Sequence, residues 1–401
     1  METKPRVIVV GGGYAGVMAA LRASRRLRHR GEVVLISDRD AMIERVRLHE
    51  AASGTVDPAR PLATLLRGTR VRIVRGRVES VDRAGHEVTL SSGERMRFDR
   101  LIVAIGSRVD ASAIPGAAEH AFTLEPDAVA ELEVAARDAA QREGHLVVIG
   151  GGLTGIEGAT ELAERHRGLR VTLVTSGEVG PGLHPRAVEH LRRVFARLGV
   201  TLREHARVER VEAGAVVIAG ERLPFDVCVG AVGFAIPGSL RAWGFPVDAR
   251  GRARVDAMLR LEGAPDVYVA GDCAAPSGVL GSAVPFGCKS AMPMGVHAAE
   301  NAVRSLGGEP EHALDWSDAT YCISLGRREG LVQLMDPRGT PRTTFLSGRL
   351  GAIVKEMICR YTVRSVELER DGWWEFRFPR VRLHALPARD PERLAAPPEA
   401  A

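Results

Sequence analysis

The chain has 401 residues, 45% of them apolar and 26% charged, with a formal net charge of +5. That length holds two or three domains with sizeable cores, and the composition is ordinary for a globular protein. No apolar run approaches the roughly 20 residues that cross a bilayer, no signal segment precedes the first apolar run, and no basic cluster is interleaved with aromatics; a membrane span, secretion and nucleic-acid binding are disfavoured, and the cytoplasm is the expected location.

Residues 6–10 are predicted as a buried strand, 14–29 as a helix with Ala and Leu inward and Arg outward, and 32–37 as the next strand, a βαβ unit. Residues 71–98 read as an antiparallel meander, and Phe98 to Ser107 as a buried strand ending in glycine. After a crossing at Ile114-Pro115-Gly116 and a helix at 126–142, the order repeats. Strand 146–149, helix 153–165, strand 170–175, helix 185–198 and short strands within 200–225 follow. Phe225 to Gly233 then echoes Phe98 to Gly106. This is duplication on the scale of a domain. Asp266 to Asp272 predicts a strand with an acid at its C-terminal end, and Lys289 to Leu306 a helix containing Pro293 and Gly295. In the tail, strands are expected near 321–325 and 331–335, a helix near 346–359 and a strand from Trp373 to Phe378. The last dozen residues, rich in Pro, Ala and Glu, are expected to be disordered.

Two glycine fingerprints carry the chemistry: Gly11-Gly-Gly13-Tyr14-Ala15-Gly16 and Gly150-Gly-Gly152-Leu-Thr154-Gly155, each after a strand and before a helix. In this motif the first glycine makes the turn, the second lets a pyrophosphate approach the backbone and the third lets helix pack on strand. The helix N-terminus then meets the phosphates with free N–H groups. One match is weak; two in this context are strong and imply two dinucleotides side by side. An acid at the end of the second strand usually holds the adenosine ribose, and Asp38 fits that role in the first site. The second site offers Thr175-Ser176 with no acid and no Arg directly after it, which favours NADPH only mildly. Glu157 lies on the first turn of the second helix, either as a solvated acid stabilised by the helix dipole or beside a nicotinamide ribose. Asp272 is either a cap or an acceptor for a polyol such as the ribityl chain of a flavin. The helix after it opens at Cys288, where a helix N-terminus lowers thiol pKa values; a packing role is the favoured reading. The five cysteines, Cys228, Cys273, Cys288, Cys322 and Cys359, form no C-x-x-C pair, which argues against a dithiol centre and a zinc site. Lysine occurs only at Lys4, Lys289 and Lys355. This reads first as a compositional bias toward Arg, and second as part of a positive field for anionic cofactors.

These residues resemble the two-dinucleotide-binding flavoproteins, the FAD- and NAD(P)-dependent pyridine nucleotide oxidoreductases, over about residues 6–306. The two fingerprints, the two Ala-x-Gly strands and Val269-Ala-Gly271-Asp272 carry the likeness. Within the family the chain looks most like soluble relatives of type II NADH dehydrogenase, and Arg45-Val-Arg47-Leu-His49-Glu50 suits that branch's flavin-contacting segment. The resemblance implies an α/β fold with two Rossmann-like domains in a glutathione-reductase-like arrangement and a C-terminal α+β region. Residues 1–111 and 233–310 would form a split FAD domain, 112–232 an inserted NAD(P)H domain and 311–401 a substrate or interface region. FAD contacts are expected from the first fingerprint (Gly11, Gly13, Tyr14, Ala15, Gly16), from Asp38, Arg47, Val78, Ala104 and Gly106, and from Gly271, Asp272 and Met292. NAD(P)H contacts are expected from Gly150, Gly152, Thr154, Gly155, Glu157, Thr175 and Gly233. The implied activity is hydride transfer from NADH or NADPH to flavin N5, then electron transfer to a quinone or quinone-like small molecule. No catalytic side chain is obligatory for the hydride step, and Cys288 is the one candidate near the flavin. The tail helix lacks the aromatic anchor of membrane-bound relatives. It reads as a packing or homodimer helix, with membrane contact at most peripheral. A tailoring reductase or dehydrogenase for a specific metabolite, and a redox sensor resembling apoptosis-inducing flavoproteins, share every motif and remain alternative readings.

Overall fold

The computed structural model describes residues 4–277, 284–316, 320–337 and 339–378. Two sheets with parallel central strands, the first with antiparallel pairings among Ala253–Val255, Arg260–Leu261 and Ala264–Val269, are built by one rule. Arg6–Val10 and Glu32–Ser37 are buried along nearly their whole length, as are His145–Ile149 and Arg170–Val174. Strands apolar on both faces need cover on both, and the crossover helices supply it.

The first sheet has eight strands in the order Ala274–Pro276, Ala253–Val255, Arg260–Leu261, Ala264–Val269, Arg100–Val103, Arg6–Val10, Glu32–Ser37 and Val71–Arg75. The second has five, all parallel: Phe122–Thr123, Val227–Gly230, His145–Ile149, Arg170–Val174 and Val200–Arg203. In both, the fingerprint strand lies between the strand that leads into Ala-x-Gly and the second strand of its βαβ unit, so the duplication read in the sequence is a duplication of topology.

Three expectations are corrected. Val71–Arg75 is not part of a meander but the parallel edge of the first sheet, paired with Glu32–Ser37; only Val78–Asp82, Glu87–Leu90 and Arg95–Arg97 form the antiparallel unit. Leu346 and Ser347 belong to a strand, Pro341–Ser347, paired with Gly330–Met335. Gly348, with φ of 71°, then turns the chain into a helix that runs to Asp371. Trp373 to Phe378 is irregular, because Phe376 spends its backbone on side chains instead of a sheet edge: its N–H donates to Glu369 and its carbonyl accepts from Arg22. The expected disorder of the final residues falls outside the described chain.

Helix Tyr14–Leu27 packs tightly on helix Cys288–Leu306. A Cβ at Gly295 would lie 2.1 Å from the Ala15 carbonyl oxygen, so the crossing needs glycine there. Helix Gly348–Asp371 ties the two sheet units together. Its Lys355 pairs with Glu157 of helix Leu153–Arg165, and its Glu369 takes a two-pronged contact from buried Arg22 of helix Tyr14–Leu27. Its opposite face leaves Leu350, Ile353, Met357 and Tyr361 exposed. Among the described residues no helix is long and apolar enough to cross a membrane.

Candidate functional site

The two fingerprints match atom for atom. A Cβ at Gly11 would lie 2.2 Å from the Ala104 carbonyl oxygen, and one at Gly150 2.4 Å from that of Ala231. At Gly16 it would meet the Gly11 oxygen at 1.8 Å, and at Gly155 the Gly150 oxygen at 2.0 Å. Gly12 and Gly151 rest on Ser37 and Thr175 in the same way. At Gly13 and Gly152, by contrast, a Cβ would meet nothing within 4 Å. Each turn is therefore closed toward the protein and open on one side, above the free N–H groups that begin a helix. That is the shape a pyrophosphate needs, and both cradles fit a dinucleotide.

Both cradles open on one cavity of about 1500 Å³. Gly11, Gly13, Tyr14 and Ala15 line it from the first fingerprint; Gly152, Thr154 and Glu157 do so from the second. Asp38, Val78, Ala104, Gly106, Gly233, Gly271, Asp272 and Cys288 complete the expected set that reaches it. Asp272 accepts from the Ser107 hydroxyl at 2.7 Å and from the Gly287 N–H at 2.9 Å, which fastens the Ala-x-Gly strand to the start of helix Cys288–Leu306.

Six expected residues stand back from the cavity. Gly16, Gly150 and Gly155 lie beneath the turns that they make possible. Thr175 is buried under Gly151 and Met292 in the core of the first unit. Arg47 is held in a buried knot of carboxylates, at 2.9 Å from Glu50, 3.1 Å from Glu356 and 3.4 Å from Glu44. The expectation of cofactor contact from that segment passes to its neighbours Arg45, Val46, Leu48 and His49, which line the cavity.

Glu157 is neither solvated nor free. Its Oε1 accepts from Lys355 Nζ and from the Ser324 N–H, each at 2.9 Å, and His49 Nδ1 stands 3.7 Å from Oε2. Burial alone would raise its carboxyl pKa; the Lys355 ammonium and the Ser324 N–H overturn that and hold it below the ordinary 4.5. Burial would likewise strip Lys355 of its proton, but Glu157 keeps it charged well beyond neutral pH. His49, fully enclosed, is pushed down to about 4 and is neutral; its Nε2 makes no hydrogen bond. Cys288 lines the cavity at the start of its helix, and there burial outweighs the nearby Lys355 and Lys289 and pushes the thiol up to about 11.

Sequence reasoning missed the far wall of the cavity: Lys289, Tyr321, Cys322, Lys355, Cys359 and Thr362. Lys289 donates to the Thr320 carbonyl at 3.0 Å and lies 3.9 Å from the centre of the Tyr321 ring. One signal was present. Two of the three lysines in an arginine-rich chain line this cavity.

The sequence profile described as pyridine nucleotide-disulphide oxidoreductase matches residues 5–304, and the chain belongs to that family. It is 32% identical over 367 residues to an NADH dehydrogenase-like protein of Mycobacterium tuberculosis, covering 84% of this chain and 91% of the relative. It is 26% identical over 389 residues to the type II NADH:quinone oxidoreductase of Staphylococcus aureus, covering 89% and 94%. Among solved structures, the sulfide:quinone oxidoreductase of Aquifex aeolicus superposes with a TM-score of 0.77 at 19% identity, over 91% of this chain and 92% of that one. The NDH2 of Plasmodium falciparum in complex with NADH gives 0.75 at 14%, over 94% and 100%. The chain is therefore an oxidoreductase with the two-dinucleotide fold of these proteins.

Proposed function

We propose that this family member is an FAD-dependent NAD(P)H oxidoreductase that passes electrons to a quinone or quinone-like small molecule. The observation that carries the reading is the single cavity onto which both glycine cradles open. Residues 1–111 and 233–310 would hold FAD, with the pyrophosphate over Gly11–Gly13, Asp38 on the adenosine ribose and Asp272 toward the ribityl chain. Residues 112–232 would hold the nicotinamide nucleotide over Gly150–Gly152. When bound, FAD supplies the two-electron chemistry that accepts hydride from a nicotinamide and releases electrons to a second molecule. The chain's own residues align the two nucleotides and exclude water between them. The start of helix Cys288–Leu306 places positive dipole against the cavity, which favours negative charge developing there. The acceptor would enter along the tail helix, where Ile358, Cys359 and Thr362 line the wall; the names of the quinone-reducing relatives support that class of acceptor. Purified protein is expected to be yellow, to bleach anaerobically with NADH or NADPH and to recolour on adding a soluble quinone. Protein that takes up no FAD, or that bleaches with neither nucleotide, refutes the proposal.

A further inference from the structure

The second cradle lacks the acid that usually distinguishes NADH. The strand Arg170–Val174 ends in Thr175-Ser176, and Thr175 is buried beneath Gly151. What stands beside that end is set by the next strand of the sheet. Val200–Arg203 pairs in parallel with Arg170–Val174, and the chain beyond it stays stitched to the same loop. The His205 N–H donates to the Gly177 carbonyl at 3.2 Å and the Ala206 N–H to the Thr175 carbonyl at 2.9 Å. The loop in turn touches the cradle, where the Gly180 N–H donates to the Gly151 carbonyl at 2.8 Å. Along this extended stretch exposure alternates, so Arg203, His205 and Arg207 are all exposed while 202, 204 and 206 are half-buried.

This gives a row of basic side chains at the C-terminal ends of the parallel strands, the end at which open α/β sheets bind nucleotides. Among the described residues none of the three makes an ion pair or a side-chain hydrogen bond. Of the nearby acids, Glu204 holds Arg192 at 2.8 Å and accepts from the Val179 N–H, also at 2.8 Å, with His205 in its field, while Glu178 is exposed on the loop in the field of the same Arg192. A carboxylate that would repel a 2′-phosphate is missing at 175–176, and two uncommitted guanidinium groups occupy the adjoining strand end. Guanidinium is the side chain best matched to phosphate oxygens.

We infer that the exchanging nucleotide is NADPH, its adenosine 2′-phosphate recognised by Arg207 and Arg203 with His205 beside them. This rests on the reading of the second cradle as the NAD(P)H site. It supplies from space what the sequence lacks, because the arginines follow the third strand of the unit and not the second.

The test is binding of 2′,5′-ADP against 5′-ADP to the flavin-loaded protein by calorimetry, with NADPH and NADH reduction kinetics alongside. The natural protein should bind 2′,5′-ADP at least about ten-fold more tightly. Arg207→Ala should lose most of that preference, and Arg203→Ala part of it, with 5′-ADP binding and the NADH rate unchanged; Arg207→Lys should recover a portion. Equal binding of the two fragments, a preference for NADH, or equal losses on both nucleotides in the Arg207→Ala and Arg203→Ala proteins overturns the inference. A protein that binds neither fragment and is reduced by neither nucleotide refutes the underlying assignment of the cradle instead.

Discussion

Replacing Lys355 by Met should undock the tail helix without unfolding the two sheet units. Lys355 Nζ and Glu157 Oε1 are 2.9 Å apart, and both side chains are almost wholly enclosed. At an effective dielectric of about 20 their attraction is roughly 6 kcal/mol. Removing one partner of such a pair costs about 3–5 kcal/mol, because the other charge stays buried without compensation. Methionine fills similar volume, so the loss is electrostatic and not a cavity. The assay is native-state hydrogen exchange on peptides spanning Gly348–Asp371, corrected for intrinsic rates. Amides that open through helix undocking should exchange faster by roughly two to four powers of ten. Adding Glu157→Gln, which keeps an acceptor for the Ser324 N–H, should restore most of the protection. The pH dependence follows from the signs. In the natural protein Glu157 is depressed below 4.5, so its stabilisation is present above that value and is lost as pH falls through the depressed one. In Lys355→Met burial alone raises it, so the penalty is greatest at high pH and disappears as acid protonates the carboxyl. Unchanged exchange in Lys355→Met, or a double variant no better than the single, refutes the reasoning.

The glycines of each fingerprint should separate by role. Gly13→Ala and Gly152→Ala, at extended φ values of −82° and −74° with open space ahead of the Cβ, should leave the melting temperature within a degree or so but weaken dinucleotide binding about ten-fold or more. Gly16→Ala, whose Cβ would sit 1.8 Å from the Gly11 oxygen, should cost at least about 1–3 kcal/mol of stability or prevent folding, seen in expression and thermal melts. Cys288, with its thiol pushed up to about 11 from 9.0, should alkylate with iodoacetamide at pH 8 roughly a hundred-fold more slowly than an ordinary thiol, as followed by mass spectrometry. Arg22→Met leaves Glu369 buried without its partner and should destabilise by about 3–5 kcal/mol, read from limited proteolysis within 360–378 and from the urea midpoint.

The two cradles were legible because close approach of backbone to backbone excludes every residue but glycine, so the packing is written directly into residue type. The parallel strands were legible because burial on both faces demands an uninterrupted apolar run. Val71–Arg75 was misread because an edge strand is largely exposed, so its apolar run is broken by Arg72 and Arg75 as that of an antiparallel strand is. The far wall of the cavity was not legible for a different reason. Glu157 and Lys355 meet across 198 residues, and no local pattern encodes that contact. The scarcity of lysine was the one usable trace. Two of the three retained lysines line the cavity, and at Lys355 a compact ammonium meets the single carboxylate of Glu157. The proposed 2′-phosphate site was illegible for the same kind of reason, since Arg207 lies 31 residues beyond Ser176 in sequence but one strand away in the sheet.

The tail helix fixes more than the position of its own side chains. Lys355 and Glu369 lie about 21 Å apart along its axis, one anchored to each sheet unit. A hinge motion of either unit would have to pull a charge out of a buried pair at one end of this strut, at a cost close to that of the variants above. The tail helix is thus a strut that resists hinge motion between the two units, and breaking either pair should loosen one unit against the other.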